Sequence, residues 1–147
     1  MSANIDSVAK YIAEKSDWSI SNLKLQKMMY ITQMIHMGRN DGECIFNADF
    51  QAWDYGPVIP SLYHRLKIFG SNPISDVLSR AKKFRPDDAR RKVMNDVCKR
   101  FLKFSAGDLV EITHADIGAW AEFYVPGARN ITIPNEAILD EYRLRNA

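Results

Sequence analysis

The chain has 147 residues, of which 46% are hydrophobic and 26% are charged, and its formal net charge is +2. This balance is typical of a globular protein and argues against a disordered chain, and no apolar run reaches the ~18 residues of a membrane span. We therefore expect one domain over residues 1–147, burying roughly 70% of the surface that the unfolded chain exposes. Because the first residues lack the basic and then apolar order of a signal peptide, we expect a cytoplasmic protein without a membrane contact.

The first part of the chain predicts two helices. Residues 4–15 repeat apolar side chains at helical spacing. A second helix is predicted over residues 21–37, with Ser21 as its N-cap and Gly38 as the residue that allows it to stop. This second segment is apolar nearly all round, and a helix without a broad polar face belongs in the middle of a bundle. We therefore expect it to be the central helix.

The middle of the chain predicts a connection followed by a third helix. Residues 39–56 mix turn-forming residues with aromatic ones, with at most a short extended piece at Phe50–Trp53. Pro57 suits the first turn of a helix that runs to about Phe69, because its missing amide hydrogen would have had no partner there.

Three further helices are predicted in the last part of the chain. Residues 86–104 carry an apolar stripe, and Asp87 and Asp88 at its start complement the helix dipole. Ser105 begins a capping box for the next helix, and Pro134 opens the last one. Since all of these elements are helical, the predicted fold class is all-α, a compact helical bundle with at most a minor pair of short strands.

Histidine and cysteine positions do not predict a metal site. The three histidines, His36, His64 and His114, form neither an HxxxH nor an HExxH pattern. Cys44 and Cys98 lie far apart without CxxC spacing, which favours two small core residues over a disulfide or a metal pair. We expect no metal and no cofactor.

Catalytic motifs are equally scarce, and the sequence does not predict an enzyme. Neither a GxSxG elbow nor a glycine-rich phosphate loop is present. Asp54, near Tyr55 and His64, is the strongest alternative as an acid/base pair. A solvated aspartate in a loop explains the same residue better.

The run FQAWDYGPVIPSLYHRLK, residues 50–67, predicts a rigid corner. The residue before a proline avoids the α region, and glycine adopts backbone angles closed to other residues, so Gly56 and Pro57 fix a sharp turn. If the backbone is extended, Trp53 and Tyr55 point to opposite sides, one into the core and one to the surface. The corner is then a structural device, and it can also present an aromatic surface to a protein partner.

Charge is distributed unevenly along the chain. Residues 80–103 hold ten Lys/Arg against three Asp/Glu, a local charge of +7 that leaves −5 for the rest. Such a stretch could serve nucleic acid or an acidic protein surface, but its single aromatic in the segment SRAKKFRPDDARRK and its interspersed acids favour a solvated face over a nucleic-acid site. The candidate partner-binding residues on this basic face are Arg90, Arg91, Lys99 and Arg100.

Residues 23–36 and 50–67 together resemble the Panacea domain, the SocA-like antitoxin family with its phage- and genetic-element-associated relatives. Further on, LVEITHADIGAW resembles the Thr-His and Pro-Trp steps of that family, with Ala119 standing where a proline is expected. The residues that match the pattern are Leu25, Lys27, Tyr30, Ala52, Trp53, Tyr55, Gly56, Pro57, Val58, Pro60, Leu62, Tyr63, Thr113, His114 and Trp120.

The resemblance implies a mostly helical, non-enzymatic antitoxin that neutralises a cognate toxin protein by direct binding. Two alternatives stay open: a proteolytic adaptor that delivers a toxin to a protease or unfoldase, and a DNA-binding autorepressor that uses residues 80–103. We expect the partner surface to lie within residues 80–103 and at the edge of the aromatic corner.

Overall fold

Seven α-helices and three short strands make up the part of the chain that the structure, a computed structural model, describes, residues 2–146. In chain order they are α1 (Ile5–Lys15), α2 (Asn22–Arg39), β1 (Phe50–Trp53), β2 (Gly56–Val58), α3 (Pro60–Leu66), α4 (Arg90–Phe101), α5 (Ala106–Thr113), α6 (Ala119–Phe123), β3 (Thr132–Ile133) and α7 (Asn135–Arg145). A single 3₁₀ turn, Lys67–Phe69, follows α3.

Helix α2 lies at the centre of the fold, as the sequence predicts. It contacts α1, α3, α4, α5, α7 and β2, and every residue from 25 to 37 is buried. Ser21 caps it, because the Ser21 hydroxyl accepts a hydrogen bond from the amide of Lys24. Since the other helices surround this one helix, its side chains line the core that the whole fold shares.

Two glutamines of α2 hold irregular segments in place. The Gln33 side chain accepts a hydrogen bond from the Ile45 amide at 2.9 Å and donates one to the Phe46 carbonyl at 3.1 Å. The Gln26 side chain accepts one from the Ile59 amide at 2.9 Å. These buried amides satisfy backbone groups that would otherwise lose their hydrogen bonds on burial, which costs roughly 1–3 kcal/mol for each group.

Gly38 does not end α2, contrary to the sequence prediction. The helix continues to Arg39, and Gly38 lies directly against the ring of Tyr142 on α7. A Cβ at position 38 would be 2.2 Å from Tyr142 Cδ2. The glycine therefore serves the close approach of two helices.

The strands form one antiparallel sheet in the order β2-β1-β3. The fold is thus mostly helical with a small sheet, which confirms the predicted fold class with three strands in place of a pair. Pro57 belongs to this sheet, opposite Ala52, so its predicted place in a helix is wrong. As part of an edge strand it needs no ladder donor, and Pro60 is the residue that occupies the first turn of α3.

Helix α4 is shorter than the sequence predicts. It begins at Arg90, and Asp87 and Asp88 precede it. The Asp88 carboxylate accepts hydrogen bonds from the amide and the guanidinium of Arg90, which lowers the pKa of Asp88 to about 2. The predicted capping box at Ser105 is confirmed, and Pro134 is the N-cap of α7.

The structure also bears on the two cysteines and on membrane-spanning helices. Cys44 and Cys98 are free thiols, Cys98 is buried, and burial raises the pKa of Cys98 to about 11. Among residues 2–146, no helix is both long enough and apolar enough to span a membrane.

The contact between α2 and α7 gives a first prediction. Gly38→Ala should lower the free energy of unfolding by about 1–3 kcal/mol, because the added methyl group meets the Tyr142 ring and the core must shift. Chemical denaturation measures the change.

Gly107→Ala is the matched control, since it is also a helical glycine but meets only Ser105 Oγ, at 3.8 Å. There the higher helix propensity of alanine should leave stability equal or higher. Equal effects of the two substitutions would contradict the close approach at Gly38.

Candidate functional site

Seven residues of the family pattern meet where the β1–β2 hairpin lies on α2 and on the α5–α6 segment. We call this cluster the hairpin junction, and its residues are Lys27, Trp53, Gly56, Pro57, Thr113, His114 and Trp120. All of them are buried except His114, which is half-buried. The junction is therefore internal, and it sets the position of the hairpin relative to the helices.

Lys27 places an amine beneath the hairpin. Its side chain is 0% exposed, and Nζ donates a hydrogen bond to the Pro57 carbonyl at 3.1 Å. Burial lowers the pKa of Lys27 from 10.5 to about 7, because the charged form loses its hydration. At neutral pH this amine is thus near its titration midpoint.

Gly56 is required by both space and backbone geometry. A Cβ there would lie 2.7 Å from Lys27 Cε and 3.2 Å from Thr113 Oγ1. Its φ of +111° also lies in the region that side chains disfavour. The hairpin can sit this close to α2 and α5 only with glycine at this position.

Aromatic rings join the hairpin to α6. Trp120 Nε1 donates a hydrogen bond to the Trp53 carbonyl at 2.7 Å. The His114 ring stacks on Trp120 with a centroid distance of 3.6 Å and an interplanar angle of 2°, and Tyr124 also stacks on Trp120, at 4.3 Å. His114 Nε2 is buried without a hydrogen-bond partner among residues 2–146. Burial, and then the charge of Lys27, lower the pKa of His114, so this ring favours the neutral state.

Glu141 and its partner Arg145 together tie α7 to three other elements. The Glu141 carboxylate is 1% exposed and accepts hydrogen bonds from the Tyr30 hydroxyl at 2.6 Å and the Ala119 amide at 2.9 Å. Arg145 donates to the second oxygen at 2.8 Å and to the Ile112 carbonyl at 2.6 Å. Burial, and next the neighbouring Glu141 charge, raise the pKa of Tyr30. Tyr30 is in the family pattern, whereas the sequence analysis did not identify its partner Glu141. The four-residue spacing from Glu141 to Arg145, typical of an ion pair on a helix, is the sequence signal that could have found it.

Ala119 changes one of these contacts relative to the family pattern. It is the first residue of α6, where a proline fits sterically. Proline has no amide hydrogen, whereas the amide of Ala119 donates to Glu141. Alanine therefore gives Glu141 a donor that a proline at this position would lack.

The remaining pattern residues shape the same region. Leu25 and Val58 are buried, and Pro60 opens α3. Tyr63 packs its edge against the Trp53 ring, with centroids 5.0 Å apart. These residues contribute packing. An exposed surface is instead found at the hairpin turn.

The hairpin turn carries the exposed part of the family pattern. Trp53 is 7% exposed and Tyr55 is 70% exposed, so the predicted split of the two rings is confirmed. The segment after α6 covers the turn: Asp54 accepts from the Tyr124 hydroxyl at 2.7 Å, and the Arg129 guanidinium lies 4.7 Å above the Trp53 ring. The hydrogen bond from Tyr124 is the largest cause of a lowered pKa for Asp54.

Asp54 and His64, which the sequence offers as an alternative acid/base site, contact different residues. Asp54 bonds to Tyr124 and, at 3.4 Å, to the Gly127 amide. His64 is exposed, and its ring lies 6.0 Å from Trp53 and 5.7 Å from Tyr63. Within residues 2–146, no group of three or more His, Cys, Asp or Glu could hold a metal ion.

The four cations proposed for the basic face point in different directions. A helix turns about 100° per residue, so positions 90, 91, 99 and 100 of α4 do not share one face. Arg90 is paired with Asp88, and Arg91 lies 5.7 Å above the Tyr11 ring on α1. Lys99 and Arg100 are exposed near the end of α4.

Comparison with known proteins shows the family. The sequence profile of the family described as "Antitoxin SocA-like, Panacea domain" matches residues 25–121. The chain is also 30% identical over 137 residues to the antitoxin SocA of Caulobacter vibrioides (strain NA1000 / CB15N), which covers 81% of this chain and 69% of that protein. No solved structure matches the chain. The protein belongs to the SocA-like Panacea family, so the predicted resemblance is confirmed.

The buried amine gives a second prediction. In the unfolded state Lys27 keeps its proton up to about pH 10.5, whereas in the folded state it loses the proton near pH 7. The unfolded state then binds more protons, so stability rises with pH in this window. Relative to Lys27→Met, the wild type should gain about 2 kcal/mol in free energy of unfolding between pH 7 and pH 9.

Urea denaturation at several pH values measures this difference. Lys99→Met, at an exposed position, controls for the loss of one positive charge. Parallel stability curves for the wild type and Lys27→Met would show that the amine does not titrate in this range.

Proposed function

We propose that this protein is an antitoxin that inhibits its cognate toxin by direct protein–protein binding. The observation that carries the proposal is membership of the SocA-like Panacea family, together with 30% identity to a protein named antitoxin SocA. An antitoxin of this kind needs a stable body and a binding surface, and no bond has to be made or broken.

The structure supports the proposal, because it combines a buried, fixed body with an exposed surface. The hairpin junction is buried and fixes the shape of the hairpin, while Tyr55 projects from the turn and is 70% exposed. Val125, 50% exposed, lies in the adjoining segment that folds over the turn through Tyr124. Tyrosine is over-represented among residues that dominate binding energy, so this corner is suited to a protein partner.

Charge supports the same proposal. The +7 stretch over residues 80–103 would attract a toxin with an acidic surface and raise the rate of association. Arg91, Lys99 and Arg100 would contribute through their charge, with Arg90 held in part by Asp88.

Direct inhibition can be distinguished from delivery to a protease. Family membership implies that the toxin gene often lies beside the antitoxin gene. The protein encoded by the adjacent reading frame is therefore expressed in cells with and without this chain, and growth and toxin level are measured together. Direct inhibition predicts restored growth with an unchanged amount of toxin. Restored growth with a fall in toxin that depends on an ATP-dependent protease would support the adaptor instead.

The corner gives a third prediction. Tyr55→Ala should weaken binding of the purified toxin about 30-fold, which corresponds to about 2 kcal/mol, because a central aromatic contact is removed. The melting temperature should stay unchanged, since the side chain is exposed. Calorimetry gives the affinity.

Val77→Ala is the control, because Val77 is also an exposed apolar residue, 52% exposed, but lies in the segment before α4. Equal affinity of wild type and Tyr55→Ala for the toxin would remove the corner from the interface.

A further inference from the structure

We propose that a groove over α2, bounded by α4, α5 and α7, binds an amphipathic helix of the toxin that carries carboxylates beside its apolar stripe. The groove has a volume of about 570 Å³, within the range of roughly 300–1,000 Å³ that is typical of ligand pockets. The inference rests on the proposed function, because it names the chemistry of the toxin segment that binds.

Apolar side chains form the floor of the groove and part of its walls. Helix α2 supplies the floor through Ile31, Met34 and Ile35, all of them buried. The walls are half-buried side chains that keep part of their surface open to the groove: Phe101, Phe104, Ile112 and Tyr142. An apolar partner stripe would therefore remove further hydrocarbon surface from water, at about 25 cal/mol for each Å².

The charge of the lining is strongly unbalanced. Four cationic side chains line the groove, Arg39, Arg100, Lys103 and Arg145, against one carboxylate, that of Glu141. Glu141 already accepts from three donors, and Arg145 is held by it.

Within the described part of the chain, residues 2–146, two of the four cations have no acidic partner. Arg39 bonds to Asp96 at 2.8 Å. Arg100 lies 5.0 Å above the Phe101 ring and Lys103 lies 5.7 Å above the Phe104 ring, and neither pairs with a carboxylate among residues 2–146. Their positive charges thus lie on the aromatic wall itself, where they favour an anionic group on the partner.

The backbone around the groove favours a helical occupant. The lining comes from α2, α4, α5 and α7 and from the short segment after α4. Such walls offer no sheet edge with which an extended peptide could pair, so its amides would be buried without partners. A helix satisfies its own amides, and carboxylates three or four residues apart on it would match Arg100 and Lys103.

Nucleic acid fits this surface less well. Single strands bind through stacking of bases on open aromatic faces together with many cations along the backbone. Here the faces of Phe101 and Phe104 already carry Arg100 and Lys103. An acidic helix uses those cations without displacing them.

The test reverses the two charges. Arg100→Glu with Lys103→Glu should weaken binding of the purified product of the adjacent reading frame at least tenfold, as measured by calorimetry on the full chain. The milder pair, Arg100→Gln with Lys103→Gln, should give a smaller loss. All variants should keep the melting temperature, because both side chains are exposed.

Lys15→Glu with Lys67→Glu is the matched control. It makes the same change of net charge, at exposed positions that lie outside residues 80–103 and do not line this groove. The groove proposal expects at most a twofold change for this pair. Losses of equal size in the two pairs would indicate general electrostatic attraction and would overturn the proposal.

The remaining outcomes separate the two hypotheses. If the wild type does not bind the product, the proposed function fails, and the groove inference with it. If the wild type binds it and both groove pairs bind equally well, the groove inference fails while the proposed function stands. If the groove pairs lose only the binding of a single-stranded oligonucleotide, the site serves nucleic acid and the inference is overturned.

Discussion

The hydrogen bond from the buried Lys27 amine to the Pro57 carbonyl is the contact on which the hairpin depends. It joins a carbonyl of the edge strand β2 to the central helix. An amine in this position leaves room only for glycine at position 56, and Gly56 in turn sets the direction of the turn. Trp53 then presents its carbonyl to Trp120, so one buried polar group determines how the hairpin, α2 and α6 meet.

Polar side chains inside the central helix extend the same principle. Gln26 and Gln33 bond to backbone groups of the segments around them, and Tyr30 bonds to Glu141. In a sheet these backbone groups would pair with a neighbouring strand. Here a helix provides the partners, which allows a mostly helical chain to hold long irregular segments against its core.

The sequence predicted those parts of the fold that depend on neighbouring residues. The all-round apolar pattern identified α2, and the caps at Ser21 and Ser105 follow from side chains that bond within one turn. Pro57 was misplaced because a proline suits both a first helical turn and an edge strand. The pairing of Pro57 with Ala52 decides between the two, and no local signal reports it.

The site was predictable to a similar extent. The split of Trp53 and Tyr55 is as predicted, but its cause differs from the predicted alternation, because Trp53 ends β1 and Tyr55 lies in the turn that follows. The role of Glu141 depends on donors from three elements, so its position in the chain says little about it. The groove also brings together helices that are distant in sequence, and the cations of residues 80–103 alone do not indicate which of them share a surface.

The two-residue turn that carries Tyr55 has a consequence for how binding energy is used. Ordering a flexible backbone costs roughly 1–2 kcal/mol for each residue. The strands on either side, and the bond from Tyr124 to Asp54, have already restricted this turn before any partner arrives. A ligand that binds Tyr55 therefore meets a preorganised side chain. Substitution of this residue can change the affinity without a change in the fold.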